Sequence, residues 1–309
     1  MRIRFWGARG SLPSPLLPSQ VREKIMAALR RARPEDLADS KSIERFARGL
    51  PPWLFGTVGG NTSCVSLEAD GLDGLIVFDC GSGMRELGKA RRASPNYHVF
   101  MSHFHWDHLQ GLPFFGPAFS PASSLDFYSP RQGFEGDLAG LMRGPYSPIG
   151  LHDLPAKTSF SCLEGPVSLG PASVSFKKMN HPGGSYSYRV ECGGKSFIYA
   201  TDVELEVQDF IRSEENAAFF TGADAIAIDA QYTPMEAIEK HSWGHSPYSM
   251  AAEFAVSWGI RRLILFHHDP TSDDRKLHEM LRSASRYLRH IGADGVSVSL
   301  AAEGREVVL

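Results

Sequence analysis

The chain has 309 residues, 42% of them hydrophobic and 22% charged, which excludes disordered, collagen-like and low-complexity classes. This length suits one large α/β domain or two small ones, either able to bury a full core. A formal charge of −3 excludes a general electrostatic affinity for nucleic acid or anionic membrane, so any polyanion has to be gripped locally.

In chain order, Ile3 to Trp6 is expected to form a short strand before a Gly-Ala-Arg-Gly turn. The opening residues lack the apolar core of a signal peptide, and no apolar run is long enough to span a bilayer. The expected location is therefore the cytoplasm, where the scattered Cys64, Cys80, Cys162 and Cys192 are reduced thiols. Residues 14–56 change character. Proline marks both ends, and Val21, Ile25, Ala28 and Leu29 recur at helical spacing, which predicts one or two amphipathic helices inserted as a flap. Its basic residues modestly outnumber its acids, a pattern read as a solvated surface and not a nucleic-acid arm.

Beyond Gly59, unbroken apolar runs at 75–80, 99–102, 197–200, 225–228 and 263–266 predict strands buried on both faces of a layered α/β fold. Near the end, Ser246-Pro247 predicts the cap and first turn of a helix through Met250, Phe254 and Trp258. A second helix is predicted through Leu277, Leu281, Ala284 and Leu288. One domain, 1–309, with the inserted flap is the expected organisation.

Each of those five runs leads into a residue able to hold a metal: Asp79, His103, Asp202, Asp229 and His267. In open α/β sheets the working crevice lies beyond the carboxyl ends of the strands. The densest element is Ser102-His103-Phe104-His105-Trp106-Asp107-His108. Imidazole nitrogens and carboxylate oxygens are the donors preferred by Zn²⁺ and similar ions. His98, His152, His278 and His290 stand outside any such pattern and are read as bystanders. The aromatic residues Trp106, Phe114, Phe115 and Phe119 are expected to pack beneath a loop.

The motif at 102–108, with Asn180-His181-Pro182-Gly183, Thr201-Asp202 and Leu265-Phe266-His267, resembles the metallo-β-lactamase superfamily. The resemblance covers nearly the whole chain outside the insertion. It implies a four-layer αββα sandwich and two divalent ions, Zn²⁺ or Mn²⁺. Carried over by position, His103, His105 and His181 would bind the first ion. Asp107, His108 and His267 would bind the second, with Asp202 between them and His268 as an adjoining alternative to His267.

His105 stands where the iron oxidoreductases of the superfamily carry an acid. Trp243-Gly244-His245-Ser246 resembles the His-Ser/Thr element of the phosphodiesterase branch, which includes tRNase Z and phosphoribosyl cyclic phosphodiesterase. Gly59-Gly60-Asn61-Thr62-Ser63-Cys64 is similar to a stretch common in that branch. The resemblance thus implies a hydrolase acting on a small or cyclic phosphodiester, with a water activated between two ions. Asp107, His245 and Asp229 form the expected catalytic set, His245 donating a proton and Asp229 orienting it. Asp79 and Asn61 are expected to support ligands, and His241 to lie near substrate. A tRNA 3′-processing endoribonuclease is the first alternative, nucleic acid being the less favoured partner. Thioester or lactone hydrolysis, and a non-catalytic metal-stabilised binding protein, are further rivals. No segment decides between monomer and homodimer.

Overall fold

The computed structural model describes residues 1–90 and 96–309. The first sheet contains β1 (Arg2–Gly7), β2 (Cys64–Glu68), β3 (Leu75–Phe78), β4 (Asn96–Phe100), β5 (Ser124–Ser129) and β6 (Lys157–Cys162). The second contains β7 (Val167–Leu169), β8 (Ala172–Met179), β9 (Ser185–Cys192), β10 (Lys195–Ala200), β11 (Ala225–Asp229), β12 (Arg262–Phe266) and β13 (Ser297–Leu300). The last strand, β14 (Glu306–Val308), returns to the first sheet and pairs antiparallel with β1.

The two sheets share a plan. Each has antiparallel strands on one side and parallel strands on the other, β3 to β6 in the first and β10 to β13 in the second. Parallel strands need crossovers, which bring covering helices with them. This is why the runs 75–78, 225–228 and 263–266 read as continuously apolar: each is buried along its length.

Between the sheets lie Phe5, Phe78, Phe100, Tyr188, Phe197, Tyr199 and Phe266. Helices α4 (Gly83–Ala90) and α5 (Phe134–Leu141) cover the outer face of the first sheet. Helices α6 (Glu214–Phe220), α8 (Tyr248–Ser257) and α9 (Asp274–His290) cover the second, while α7 (Pro234–Glu239) buries no residue. The result is the four-layer αββα sandwich. Phe78 is fully buried and stacks on Tyr199 at 5.0 Å. Phe78→Ala should therefore cost about 3–5 kcal/mol, the range for an aromatic removed from a packed core, read by urea unfolding.

The insertion forms α1 (Pro18–Leu29), α2 (Ser40–Gly49) and the short α3 (Pro52–Phe55). Lys24 anchors it by bonding Asp274 at 2.5 Å and the Gly56 carbonyl at 2.6 Å. The helical periodicity is realised, but the expected apolar face is not covered by the described residues: α1 buries no residue, and Val21, Ile25 and Leu29 are exposed. A second difference concerns Ser246. Its hydroxyl donates to the Val203 carbonyl and accepts from Leu205 N, and helix α8 begins after Pro247. Ser246 ties two loops together instead of capping the helix. Among the described residues, no helix is long and apolar enough to cross a membrane.

Candidate metal centre

Because β3 and β4 are parallel, as are β10, β11 and β12, their carboxyl ends can open onto one rim. Asp79 follows β3, the 102–108 turn follows β4, Asp202 follows β10, Asp229 ends β11 and His267 follows β12. Asp79, Asp202 and His267 have φ of 59°, 51° and 58°. The left-handed region is costly for residues other than glycine and concentrates at functional sites. Here it turns each chain sharply at a strand end.

Two groups of donors face one another across Asp202. His103, His105, His181 and Asp202 bring one ligand atom each within 4.8 Å of the others, as do Asp107, His108 and His267. His181 Nε2 is 3.2 Å from His105 Nδ1 and 3.6 Å from Asp202 Oδ1. On the other side, Asp202 Oδ2 is 3.1 Å from His108 Nε2 and 3.2 Å from His267 Nε2. Asp107 Oδ2 approaches the same two nitrogens at 3.1 and 3.3 Å and accepts the backbone N–H of Ser11 at 2.8 Å.

The far side of each ring is held by the protein. Asp79 Oδ2 accepts from His108 Nδ1 at 2.8 Å, from Ser102 Oγ at 2.7 Å and from the Tyr199 hydroxyl at 2.8 Å. His181 Nδ1 donates to the Gly244 carbonyl at 2.9 Å. Such bonds set the tautomer and leave Nε2 facing the cluster. Burial alone would raise the carboxyls of Asp107 and Asp202, but the adjoining histidines outweigh it and hold both well below the usual carboxylate range. Burial would likewise lower His108 and His267. The surrounding carboxylates win, raising His108 well above its ordinary value and His267 to about 10. His103, chiefly through burial, is lowered.

The donor set fits divalent ions. Among the described residues, the buried Nε2 atoms of His103 and His108 make no aligned hydrogen bond although carboxylate oxygens lie 3.1–3.7 Å away, an arrangement that suits donors gathered around a cation.

His245 sits above both groups, its ring 5.3 Å from His181 and 5.0 Å from His267. Its Nδ1 lies 2.6 Å from Asp229 Oδ2. Asp229 is fully buried. Desolvation pushes its carboxyl up, yet His245 and His267 more than offset this and hold it below the ordinary value.

Several supporting residues escaped the sequence reading. Glu204 accepts the backbone N–H groups of Ser242 and Gly244 at 2.8 and 2.9 Å, pinning the turn that leads to His245. Gln231 Nε2 approaches His267 Nδ1 at 3.4 Å. Gly244 has φ +87°, and a Cβ there would lie 2.3 Å from His181 Nδ1. Only the last had a visible signal, the glycine inside Trp243-Gly244-His245. Gly244→Ala should cost at least about 1–2 kcal/mol through the left-handed backbone alone and displace His181. Lowered thermal stability together with fewer ions per chain is the expected result; unchanged values for both would refute the close fit.

Three expected site residues are not brought to the cluster. His268 is buried, and its Nε2 donates to the Ala301 carbonyl at 2.9 Å. Burial and then Arg9 depress it to about 3, so it stays neutral and structural while His267 faces the carboxylates. Asn61 is turned to Glu303 and Ser82. His241 is exposed, and among the described residues its hydrogen-bond partner is the adjacent Ser242 hydroxyl.

Residues 75–268 match the family model described as a beta-lactamase superfamily domain. The chain belongs to the metallo-β-lactamase superfamily. A ribonuclease Z from Prochlorococcus marinus strain MIT 9313 is 26% identical over 267 residues, covering 68% of this chain and 81% of that protein. Human tRNase Z, short form, superposes with a TM-score of 0.62 at 19% identity, over 100% of this chain and 99% of its own. A diphosphatase from the PhnP family gives 0.64 at 16% identity, over 100% and 97%. At these identities the structural likeness speaks for the fold alone. As a member of the metallo-β-lactamase superfamily with a His/Asp cluster suited to metal, the chain is a metal-dependent hydrolase.

Proposed function

We propose that this metallo-β-lactamase-fold enzyme hydrolyses a small phosphodiester with the help of two divalent ions, Zn²⁺ or Mn²⁺. His103, His105 and His181 would hold one ion and Asp107, His108 and His267 the other, with Asp202 shared. Such ions supply Lewis-acid polarisation of a phosphoryl oxygen and make a water more acidic. The protein's own contribution is to orient these donors and to manage the leaving group's proton.

The observation that carries the reading is the His245–Asp229 pair at 2.6 Å. With Nδ1 committed to Asp229, Nε2 is the atom left to deliver a proton to a departing alkoxide. Thioester hydrolysis, whose thiolate departs without needing a proton, leaves His245 without that task. A small substrate is favoured by the charge of −3, which offers no extended surface to a large polyanion. Endonucleolytic processing of tRNA is the second reading, favoured by the likeness to the Prochlorococcus ribonuclease Z.

A panel of cyclic nucleotides, bis(4-nitrophenyl) phosphate, a thioester and pre-tRNA, assayed with Zn²⁺- and Mn²⁺-loaded protein, separates them. Turnover of small diesters with weak tRNA binding is expected. Tight, salt-sensitive pre-tRNA binding with 3′ cleavage would install the second reading, and hydrolysis of the thioester alone would sink both.

A further inference from the structure

Beside His103 and His105 a cleft of about 960 Å³ opens outward, bounded by the 102–109 segment, the β8–β9 turn and the segment around α5. That size is at the upper end for small-molecule sites. Two features of its lining stand out, open aromatic rings and cationic side chains.

The first is aromatic. Trp106 lies on the turn between His105 and Asp107, where packing beneath a loop was the expectation, yet it is 80% exposed; Tyr146, also lining the cleft, is 75% exposed. Of the other aromatics in that expectation, Phe115 is fully buried, while Phe114 and Phe119 are 68% and 40% exposed and do not line the cleft. An indole and a phenol left open in one concave site are more informative than scattered surface apolars.

The second is charge. Arg131 and Lys178 line the same cleft. Arg131 is fixed through Nε to Asp137 at 2.6 Å and stands 5.8 Å from the centre of the Phe104 ring. Among the described residues its terminal nitrogens have no hydrogen-bond partner, and Lys178 has no acidic one. Asp137 is the one carboxylate in the lining and is already paired. Open ring faces beside Lys178, which has no acidic partner among the described residues, and beside the open terminal nitrogens of Arg131, whose Nε alone is paired with Asp137, match a ligand that is itself a flat ring joined to an anion.

We infer that the cleft is a nucleotide subsite. It takes a nucleobase-type ring on Trp106 and Tyr146 and a phosphate beside Arg131 and Lys178, which leads the adjoining ester toward His103 and His105. This rests on the phosphodiesterase reading and narrows it to diesters with a nucleoside on one side.

The test is equilibrium titration of the metal-loaded, full chain with adenosine 5′-monophosphate and with ribose 5-phosphate, which share the phosphate and differ in the ring. Stacking on exposed aromatics predicts tighter binding of the nucleotide by about 10- to 100-fold. Tyr146→Ala and Trp106→Ala should each shrink that ratio while leaving ribose 5-phosphate affinity in place. Arg131→Gln should weaken both ligands together. Tyr146 lies well away in sequence from the ligand cluster, so its variant remains informative if Trp106→Ala misfolds. Equal affinity for the two ligands, or a ratio untouched in Tyr146→Ala, overturns the subsite. An octa-adenylate arm identifies the source: affinity matching the monomer supports a small nucleotide, and salt-sensitive tightening with length supports a polynucleotide end in the same subsite. Diester turnover without ring preference removes the subsite and keeps the phosphodiesterase; ring-dependent binding with no diester turned over does the reverse.

Discussion

His245→Ala is expected to lower turnover of a small phosphodiester by about 10²- to 10⁴-fold, the usual contribution of a positioned general acid, with ions per chain unchanged. Nδ1 of His245 is engaged by a fully buried Asp229, which also accepts Ser246 N at 3.1 Å and Gln231 N at 3.2 Å. The ring is therefore oriented before substrate arrives. Asp229→Asn should follow the same direction, because an amide can donate to Nδ1 and favour the wrong tautomer. The leaving group makes the test sharper. With 4-nitrophenolate, which leaves well without a proton, the loss should shrink; with an alkyl alcohol it should be full. His245 also belongs to a donor group with Asp202, Asp229 and His267. Loss of an ion from His245→Ala, measured by plasma mass spectrometry, would make it a ligand and remove the proton-donor role.

Asp202→Ala should be the most damaging single change to ion binding. Its two oxygens face opposite groups, Oδ1 toward His103 and His181, Oδ2 toward His108 and His267. Changing residues behind metal ligands typically costs 10- to 100-fold in affinity, so loss of a shared ligand should exceed about 100-fold. Ions at 1,000 times their dissociation constant stabilise a fold by about 4 kcal/mol each. Metal should thus raise the melting temperature of the natural chain strongly and of Asp202→Ala weakly. Equal shifts would show that Asp202 ligates neither ion.

The pH dependence has a definite sign. In the ion-free protein His108 and His267 sit above their unfolded value, His267 at about 10. The stabilisation from both is complete below about 6.5; that of His267 is lost as pH rises through about 10, and that of His108 is lost above its ordinary value in the same direction. Ions must displace those protons, so affinity should climb over the same interval. Isothermal titration in buffers of different ionisation enthalpy would count the protons released.

Much of this centre was legible in the chain. Strands buried on both faces appear as unbroken apolar runs, and the residue types that follow them name the donors. Strand β6 and the hairpins from β7 to β9 were not anticipated. They alternate serine and lysine with apolar residues, and β6 and β7 lie at sheet edges with no fully buried residue. One signal was present: Gly193-Gly194, both with positive φ, forms the tight turn between β9 and β10. In the insertion, the periodicity of α1 announced a helix but not what its apolar side would meet.

The sequence by itself determined the donor chemistry, the strand ends that bear it and the layered class of the fold. These follow from local pattern, since burial and turn-making act on neighbouring residues. Only tertiary structure decided which donors converge. Asp107 and His267 meet across 160 positions, His181 and His105 across 76. It alone set His267 toward the carboxylates and His268 toward a backbone carbonyl, and it alone left Trp106 open beside the cluster. Adjacent residues on a turn point in different directions, and which direction faces the site depends on elements that the chain supplies far away.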